Sequence, residues 1–384
     1  MGAALTKYEF AVLAGFLLLY PFYLWSSGYP QVADILLLGF ALFRLPVLIS
    51  RNGGRTNLNE PVLVLGLFAG LAFLINALHF IFDHDKRFIL SSLYYIYNAL
   101  VFMIMRYLFH QISGRQIRIF VFLIVAVLAA QIFMYPLLSE PGIRFSGSFN
   151  NPNQLTYWAL LMCCMGLMLA DHYNIKLREI LVLVLATALI ALSLSRIGLI
   201  SIALVWLIVL FTMRKTQNTW ILFLSMALLT ILGVSWLSFS SGMGGVNDLA
   251  GGIIDRFQQQ SDLYYAAWIN RGFERMTDQP FWLIFGAGEG GFDRFEVSGS
   301  EKVIELHSGL GTVLFSYGIT GFLLFSYFLY LLGRGASRLE ILIIGVLLIF
   351  SLSHQSFRFA MFWAVLGVLA AMKDRRKSLT LPPI

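Results

Sequence analysis

The string Arg144-Phe-Ser-Gly-Ser-Phe-Asn-Asn-Pro-Asn153 puts an arginine, a glycine, a proline and three asparagines into ten consecutive positions. Gly147 and Pro152 mark a tight turn, and the Asn and Ser side chains are of the type that caps a following helix. Turn amides and helix N-termini bind anions, and Arg144 adds a guanidinium that can clamp a phosphate in bidentate fashion. A capped loop carrying one surface arginine is the plainer reading of the same residues. Asn153 joins Arg144 as a substrate-binding candidate, although it and Asn150 read first as residues that shape the loop.

Three more groups carry potential chemistry. In Ser193-Leu-Ser-Arg196-Ile-Gly, Arg196 stands between long apolar runs. An arginine there is costly unless it meets water, a carbonyl or an anion, or snorkels to lipid headgroups. Tyr264, Trp268, Arg271 and Arg275 recur at intervals that put all four on one face of a helix. Such a face suits sugar rings stacked over aromatic surface with a phosphate beside them, and equally suits a helix lying at the membrane interface. His307 follows the segment Gly286-Ala-Gly-Glu-Gly-Gly291 and Glu305. An imidazole titrating near about 6.5 can accept or orient a hydroxyl proton, although a lone histidine is often structural. His354 and Arg358 form a weaker second pair of the same kind.

Asp83-His-Asp85 has the form of a metal-binding carboxylate pair, but Lys86 and Arg87 follow directly and could neutralise it. No metal and no cofactor is therefore assigned. The chain has no P-loop, no H-E-x-x-H, no G-x-S-x-G and no dinucleotide fingerprint, so ATP-driven transport and hydrolase chemistry by those routes lack support.

Membrane helices must position these residues. The 384 residues are 59% hydrophobic and 12% charged, and mean hydropathy is +0.78. A water-soluble core cannot absorb so much apolar side chain, which excludes a cytosolic enzyme, a secreted disulfide scaffold and a disordered chain. Cys163 and Cys164 are adjacent in an apolar run and read as packing residues. The net charge of +7 reflects basic residues kept on the cytoplasmic side rather than a nucleic-acid partner.

Windows long enough to cross a bilayer fall at about 8–26, 31–50, 61–80, 88–108, 117–137, 154–171, 177–194, 196–213, 219–238, 309–332, 338–353 and 356–372. The first is too long, and too closely followed by the second, to be a cleaved signal peptide. With both termini cytoplasmic, 17 of the 27 basic residues lie on the inner side, as the positive-inside rule requires. The expected fold is an all-α polytopic membrane protein of about 12 transmembrane helices (11–12) with one large outer loop. Four segments follow: N-terminal membrane helices over 1–137, helices bearing the outer Arg144 and Arg196 loops over 138–238, the large loop over 239–308, and C-terminal helices with a basic tail over 309–384. Lys373-Asp-Arg-Arg-Lys377 in that tail reads as a topology anchor.

The Arg144–Asn153 string, the Ser193-Leu-Ser-Arg196 junction, and Gly286-Ala-Gly followed by His307-Ser together resemble the O-antigen ligase and polymerase superfamily. The likeness covers roughly residues 140–325; Ile197 stands where a glycine is frequent in the family, and Ser308 where asparagine is usual. The resemblance implies a GT-C-like, metal-independent, inverting glycosyltransferase of the bacterial inner membrane. It would take a glycan from an undecaprenyl-pyrophosphate-linked donor and pass it to a glycan or lipid A–core acceptor on the periplasmic side. It implies His307, Arg196 and Arg271 as catalytic residues, with Arg144, Arg275, Tyr264, Trp268 and Asn153 binding substrate. The Asn-Asn-Pro-Asn-Gln-Leu run favours a polymerase over a ligase. A chain-length regulator is a further partner that the resemblance allows. A transporter of lipid-linked sugars is the alternative of a different class.

Overall fold

The computed structural model describes residues 4–49, 51–52, 55–56, 60–138, 144–173, 176–212, 251, 254, 271–295 and 305–380. Its helices are α1 (Lys7–Leu19), α2 (Val32–Ile49), α3 (Glu60–Asp83), α4 (Arg87–Gln111), α5 (Gly114–Phe133), α6 (Tyr135–Leu138), α7 (Pro152–Tyr173), α8 (Lys176–Leu192), α9 (Arg196–Thr212), α10 (Glu274–Asp278), α11 (Trp282–Phe285), α12 (Gly309–Gly333), α13 (Arg338–Ser351) and α14 (Ala360–Thr380). The one ladder among the described residues pairs β1 (Arg51–Asn52) with β2 (Arg55–Thr56), antiparallel.

A helix overlaps eleven of the twelve expected windows, and the window at 219–238 lies outside the described residues. Among the described residues five helical stretches are long and apolar enough to cross a membrane: α3, α4, Gly114–Leu138, Pro152–Ala170 and α12. On α3 the reason is visible residue by residue. Leu65, Phe68, Ala72 and Asn76 are buried, while Leu63, Leu67, Leu74, Leu78 and Ile81 face outward. A soluble helix reverses that outer stripe to polar; an outward apolar stripe needs hydrocarbon around it.

Local sequence sets where several helices begin. Thr6 and Glu9 form a capping box at α1, and Ser113 and Gln116 form another at α5. At α7 the Asn151 side chain accepts from the Gln154 N–H at 3.0 Å, and Pro152 fills the first helical position, where its missing N–H does no harm.

Contacts divide the chain into two compact units, 1–40, 108–259 and 337–347 in one, and 41–107, 260–336 and 348–384 in the other. The first is built around α7, whose side chains from Leu155 to Ala170 are buried between α5, α8 and α9. A Cβ on Gly166 would lie 2.8 Å from Val182 Cγ1, so the small residue lets α7 and α8 approach closely.

In the second unit α12 packs on α3, α11 and α14, around buried Phe68, Tyr95, Tyr317, Phe325, Phe328 and Trp363. Gly318 breaks α12, with φ 65° and ψ −174°. The basic tail is more than an anchor: Lys373 is buried and donates to Leu331 O at 2.6 Å, where α12 ends. Asp374 pairs with Arg106 at 2.8 Å.

Candidate functional site

The residues expected to do chemistry form two groups, one in each unit.

In the first unit the loop 144–153 is held from below by Gln131, a fully buried residue of α5. Its amide nitrogen donates to Ser148 Oγ at 2.8 Å, and its carbonyl oxygen accepts from the Ser148 N–H at 3.1 Å. Gly147, at φ +57°, passes so close that a Cβ would lie 2.4 Å from that oxygen. Asn150 donates to Trp25 O at 3.1 Å. Arg144 donates through Nε to Ser193 O at 2.8 Å and through Nη2 to Asn153 Oδ1 at 3.0 Å. Ser193 follows the last residue of α8, where helix carbonyls lack intrahelical partners, so the guanidinium sits at the negative end of that helix dipole. Asn150 and Asn153 therefore shape the loop, and Arg144 ties it to the Ser193 junction.

The junction itself is tight. Leu194 adopts φ +50°, a conformation that side chains with a Cβ avoid at a cost of about 1–3 kcal/mol. Arg196, half-buried, is the first residue of α9. A cation at the positive end of a helix is unfavourable by roughly 0.3–1 kcal/mol, and a bound anion reverses that penalty. The Thr156 and Ser193 hydroxyls lie 2.5 Å apart. A Cβ on Gly198 would lie 2.2 Å from Thr156 Cγ2, so glycine is needed where α9 crosses α7.

The second unit holds the remaining candidates that the structure describes. Three glycines with positive φ, Gly286, Gly288 and Gly290, let the segment 286–291 run extended against the break in α12. The Ala287 and Gly288 N–H groups donate to Phe315 O and Ser316 O, both at 2.9 Å. Those carbonyls lack helical partners because α12 is broken at Gly318. The Glu289 N–H donates to Asn76 Oδ1 at 2.7 Å.

The Glu289 carboxylate is only 3% exposed. It accepts from the Tyr317 hydroxyl at 2.7 Å and from Arg358 Nε at 2.5 Å. Arg358 also reaches Glu305 through Nη1 at 2.6 Å. Burial works against the Arg358 charge, but Glu289 and Glu305 outweigh it and hold the guanidinium above its ordinary range.

His307 is exposed. Its N–H donates to Arg271 O at 3.0 Å, and its Nδ1 lies 2.6 Å from Glu305 O. The backbone thus brings His307 and Arg271 together.

The helical face expected for Tyr264, Trp268, Arg271 and Arg275 is corrected at its C-terminal end; Tyr264 and Trp268 lie outside the described residues. Arg271 sits in a turn with Gly272 at φ +72°, and a separate short helix, α10, carries Arg275. The positive φ of Gly272 interrupts helical geometry between them, so the two arginines do not share a helical face. Arg275 is 5% exposed and lies 5.5 Å from the centre of the Phe295 ring. Burial pulls its pKa down, and the Glu305 charge partly offsets that.

Asp83 and Asp85 are each engaged by an arginine. Arg294 reaches Asp83 at 2.9 Å, and Arg87 Nε reaches Asp85 at 2.7 Å. Hydrogen bonding to Arg87 holds the Asp85 carboxyl below the usual range. Arg294 also donates to Ala287 O and to Gly291 O, and its guanidinium lies 4.8 Å over the Phe88 ring. Among the described residues no three His, Cys, Asp or Glu side chains converge as a metal site.

Residue-type reasoning missed Gln131, Asn76 and Glu289 and underweighted Arg358. Asn76 and Gln131 carried one signal, an amide inside an apolar span, where an unsatisfied polar group is expensive. Glu289 was visible only as a carboxylate within a run of glycines.

No curated protein matches the chain. A family profile described as O-antigen ligase matches residues 181–326, a stretch that contains Arg196, Arg271, Arg275, Glu289 and His307. Over that segment, somewhat more than a third of the chain, the protein is similar to the O-antigen ligase family.

Proposed function

We propose that the chain is a periplasmic-face glycosyltransferase of the bacterial inner membrane that takes a glycan from undecaprenyl pyrophosphate and passes it to an acceptor hydroxyl. The observation that carries this reading is the O-antigen ligase match over residues 181–326, which encloses Arg196, Arg271 and His307. The family supports a membrane glycosyltransferase of ligase or polymerase type. Within that range we favour a polymerase, whose acceptor is the next lipid-linked repeat, on the Asn150-Asn-Pro-Asn-Gln-Leu155 run. About twelve spans, both termini in the cytoplasm and the 239–308 loop outside complete the reading, on the distribution of basic residues.

The acceptor oxygen attacks the anomeric carbon as the bond from that carbon to the pyrophosphate oxygen breaks. The electron pair leaves with the pyrophosphate, and direct displacement inverts the anomeric centre. Negative charge grows on the leaving group, so fixed guanidinium groups stabilise the transition state more than the ground state. Arg196 and Arg271 take that role, with Arg144 and Arg275 supporting substrate binding. Arg144 does so by setting the loop against the Ser193 junction. His307 accepts the hydroxyl proton or orients it. With arginines doing the electrostatic work, no metal is required. Tyr264 and Trp268 would stack on sugar rings.

The test uses purified protein in lipid with one lipid-linked repeat unit and no added metal, with and without lipid A–core. A glycan ladder without lipid A–core supports the polymerase. Transfer only when lipid A–core is present makes the chain a ligase. No product under either condition, with divalent metal restored, refutes transfer and leaves transport of lipid-linked sugars as the surviving reading.

A further inference from the structure

A carboxylate buried as deeply as Glu289 is expensive to keep, and an ion pair in such a place adds little net stability over an apolar pair. What Glu289 does hold is Arg358, at 2.5 Å. Arg358 in turn holds the Glu305 carboxylate at 2.6 Å, and the Glu305 carbonyl lies 2.6 Å from His307 Nδ1. The far end of this chain is anchored by Tyr317 at 2.7 Å on the other Glu289 oxygen and by Asn76 at 2.7 Å on its N–H. On the near side the backbone on either side of the imidazole is pinned: His307 N–H to Arg271 O at 3.0 Å, and Gly309 N–H to His354 O at 2.8 Å.

A carbonyl oxygen only accepts hydrogen bonds. His307 Nδ1 must therefore carry the hydrogen, which leaves Nε2 of the neutral ring with its lone pair. That is the tautomer in which the outer nitrogen can take a proton.

We infer that Glu289, Arg358 and Glu305 are positioning residues that fix the His307 ring with Nε2 as the acceptor of the substrate hydroxyl proton. This rests on the transfer reading of His307. In the step it serves, the hydroxyl O–H bond breaks and its proton passes to Nε2. The oxygen bonds the anomeric carbon, the pyrophosphate departs with the electron pair, and the imidazolium returns its proton to water. Among the described residues, the charged and titratable groups linked to His307 by these contacts are Glu305, Arg358, Arg271 and His354, with Arg275 facing Glu305, so a pH readout must be assigned by substitution.

The experiment uses the full chain in lipid bilayer discs with 15N in the histidine rings, His307→Gln identifying the His307 signal. The wild-type ring is expected to show hydrogen on Nδ1, and Arg358→Gln and Glu305→Gln a mixture of tautomers. In transfer assays both variants are expected to lose about tenfold or more in kcat with KM little changed, a fraction of the ~10²-fold or more that a general base supplies. The acid limb of the pH–kcat profile should move up in Arg358→Gln, which leaves the Glu305 carboxylate uncompensated beside the ring. It should move down in Glu305→Gln, which removes that carboxylate. Combining Arg358→Gln with His307→Gln should add no further loss. A purely structural ion pair would lower activity without moving tautomer or limb.

If the wild type transfers and His307→Gln does not, yet ring signal and limb are unchanged in both variants, the inference falls while the transfer reading stands. Hydrogen on Nε2 in the wild type, or losses that multiply in the double variant, overturn it equally. If the wild type transfers nothing, the transfer reading falls and takes the inference with it.

Discussion

Gly318→Ala should detach the 286–291 segment from α12, and the structure supplies the magnitude. Gly318 holds φ 65° and ψ −174°, a region essentially reserved for glycine and costing other residues about 1–3 kcal/mol. The new Cβ would lie 2.3 Å from Ile284 O and 2.8 Å from Ile284 C, backbone atoms that cannot swing aside as a side chain can. Moving them breaks the bonds from Ala287 N to Phe315 O and from Gly288 N to Ser316 O, worth about 1 kcal/mol each. The sum is about 3–5 kcal/mol, or a Tm lower by roughly 6–10 °C at about 2 °C per kcal/mol for a chain of this size. Gly70→Ala is the control. It lies within α3 with no atom within 4 Å of its added Cβ, and should raise stability by up to ~1 kcal/mol through helix propensity. Tryptophan fluorescence during thermal unfolding in lipid bilayer discs reads both. A Gly318→Ala protein that melts with the wild type would refute the claim that the break in α12 holds this segment in place.

Three further outcomes are expected. Gly198→Ala should lose about 1–3 kcal/mol by overpacking against Thr156; Thr156→Ser, which removes the offending Cγ2 and keeps the hydroxyl that meets Ser193, should recover most of it in the same melting assay. Asp85, held below its ordinary range by Arg87, contributes stability above the unfolded carboxyl pKa of about 3.9 and loses it as pH falls through the folded value. Asp85→Asn should therefore flatten the acid-side fall in stability, with an effect at neutral pH of no more than ~1 kcal/mol, because the pair is partly solvated. Arg196→Lys and Arg271→Lys should each lower transfer about a hundredfold, because lysine keeps the charge but loses the two-pronged geometry; unchanged transfer in either variant removes that arginine from the catalytic set.

Composition alone was enough to place the chain in a membrane, because apolar residues at this density have no soluble burial available. The start of α7 was legible in its Asn and Pro residues, because Asn151 caps its own helix through a bond that closes within three residues. The motif residues Arg144, Arg196 and His307 were legible by type, and family likeness supplied their candidate roles. The helical face through Arg271 and Arg275 does not form because Gly272, at positive φ, lies between them, a break that periodicity alone does not register.

What no local pattern contains is the set of partners brought together across long separations. Arg144 lies 49 residues from Ser193, Asn76 lies 213 from Glu289, and Arg358 lies 69 from Glu289. A glycine-rich run reads as a helix breaker until a break in another helix presents carbonyls to it. A glutamate within that run reads as solvated until Tyr317 and Arg358 close around it. Residue type and short-range spacing thus determined the medium, the helices and the candidate chemistry. Only the tertiary structure decided which charges are buried and paired, because pairing depends on distances that helix packing sets and sequence separation does not.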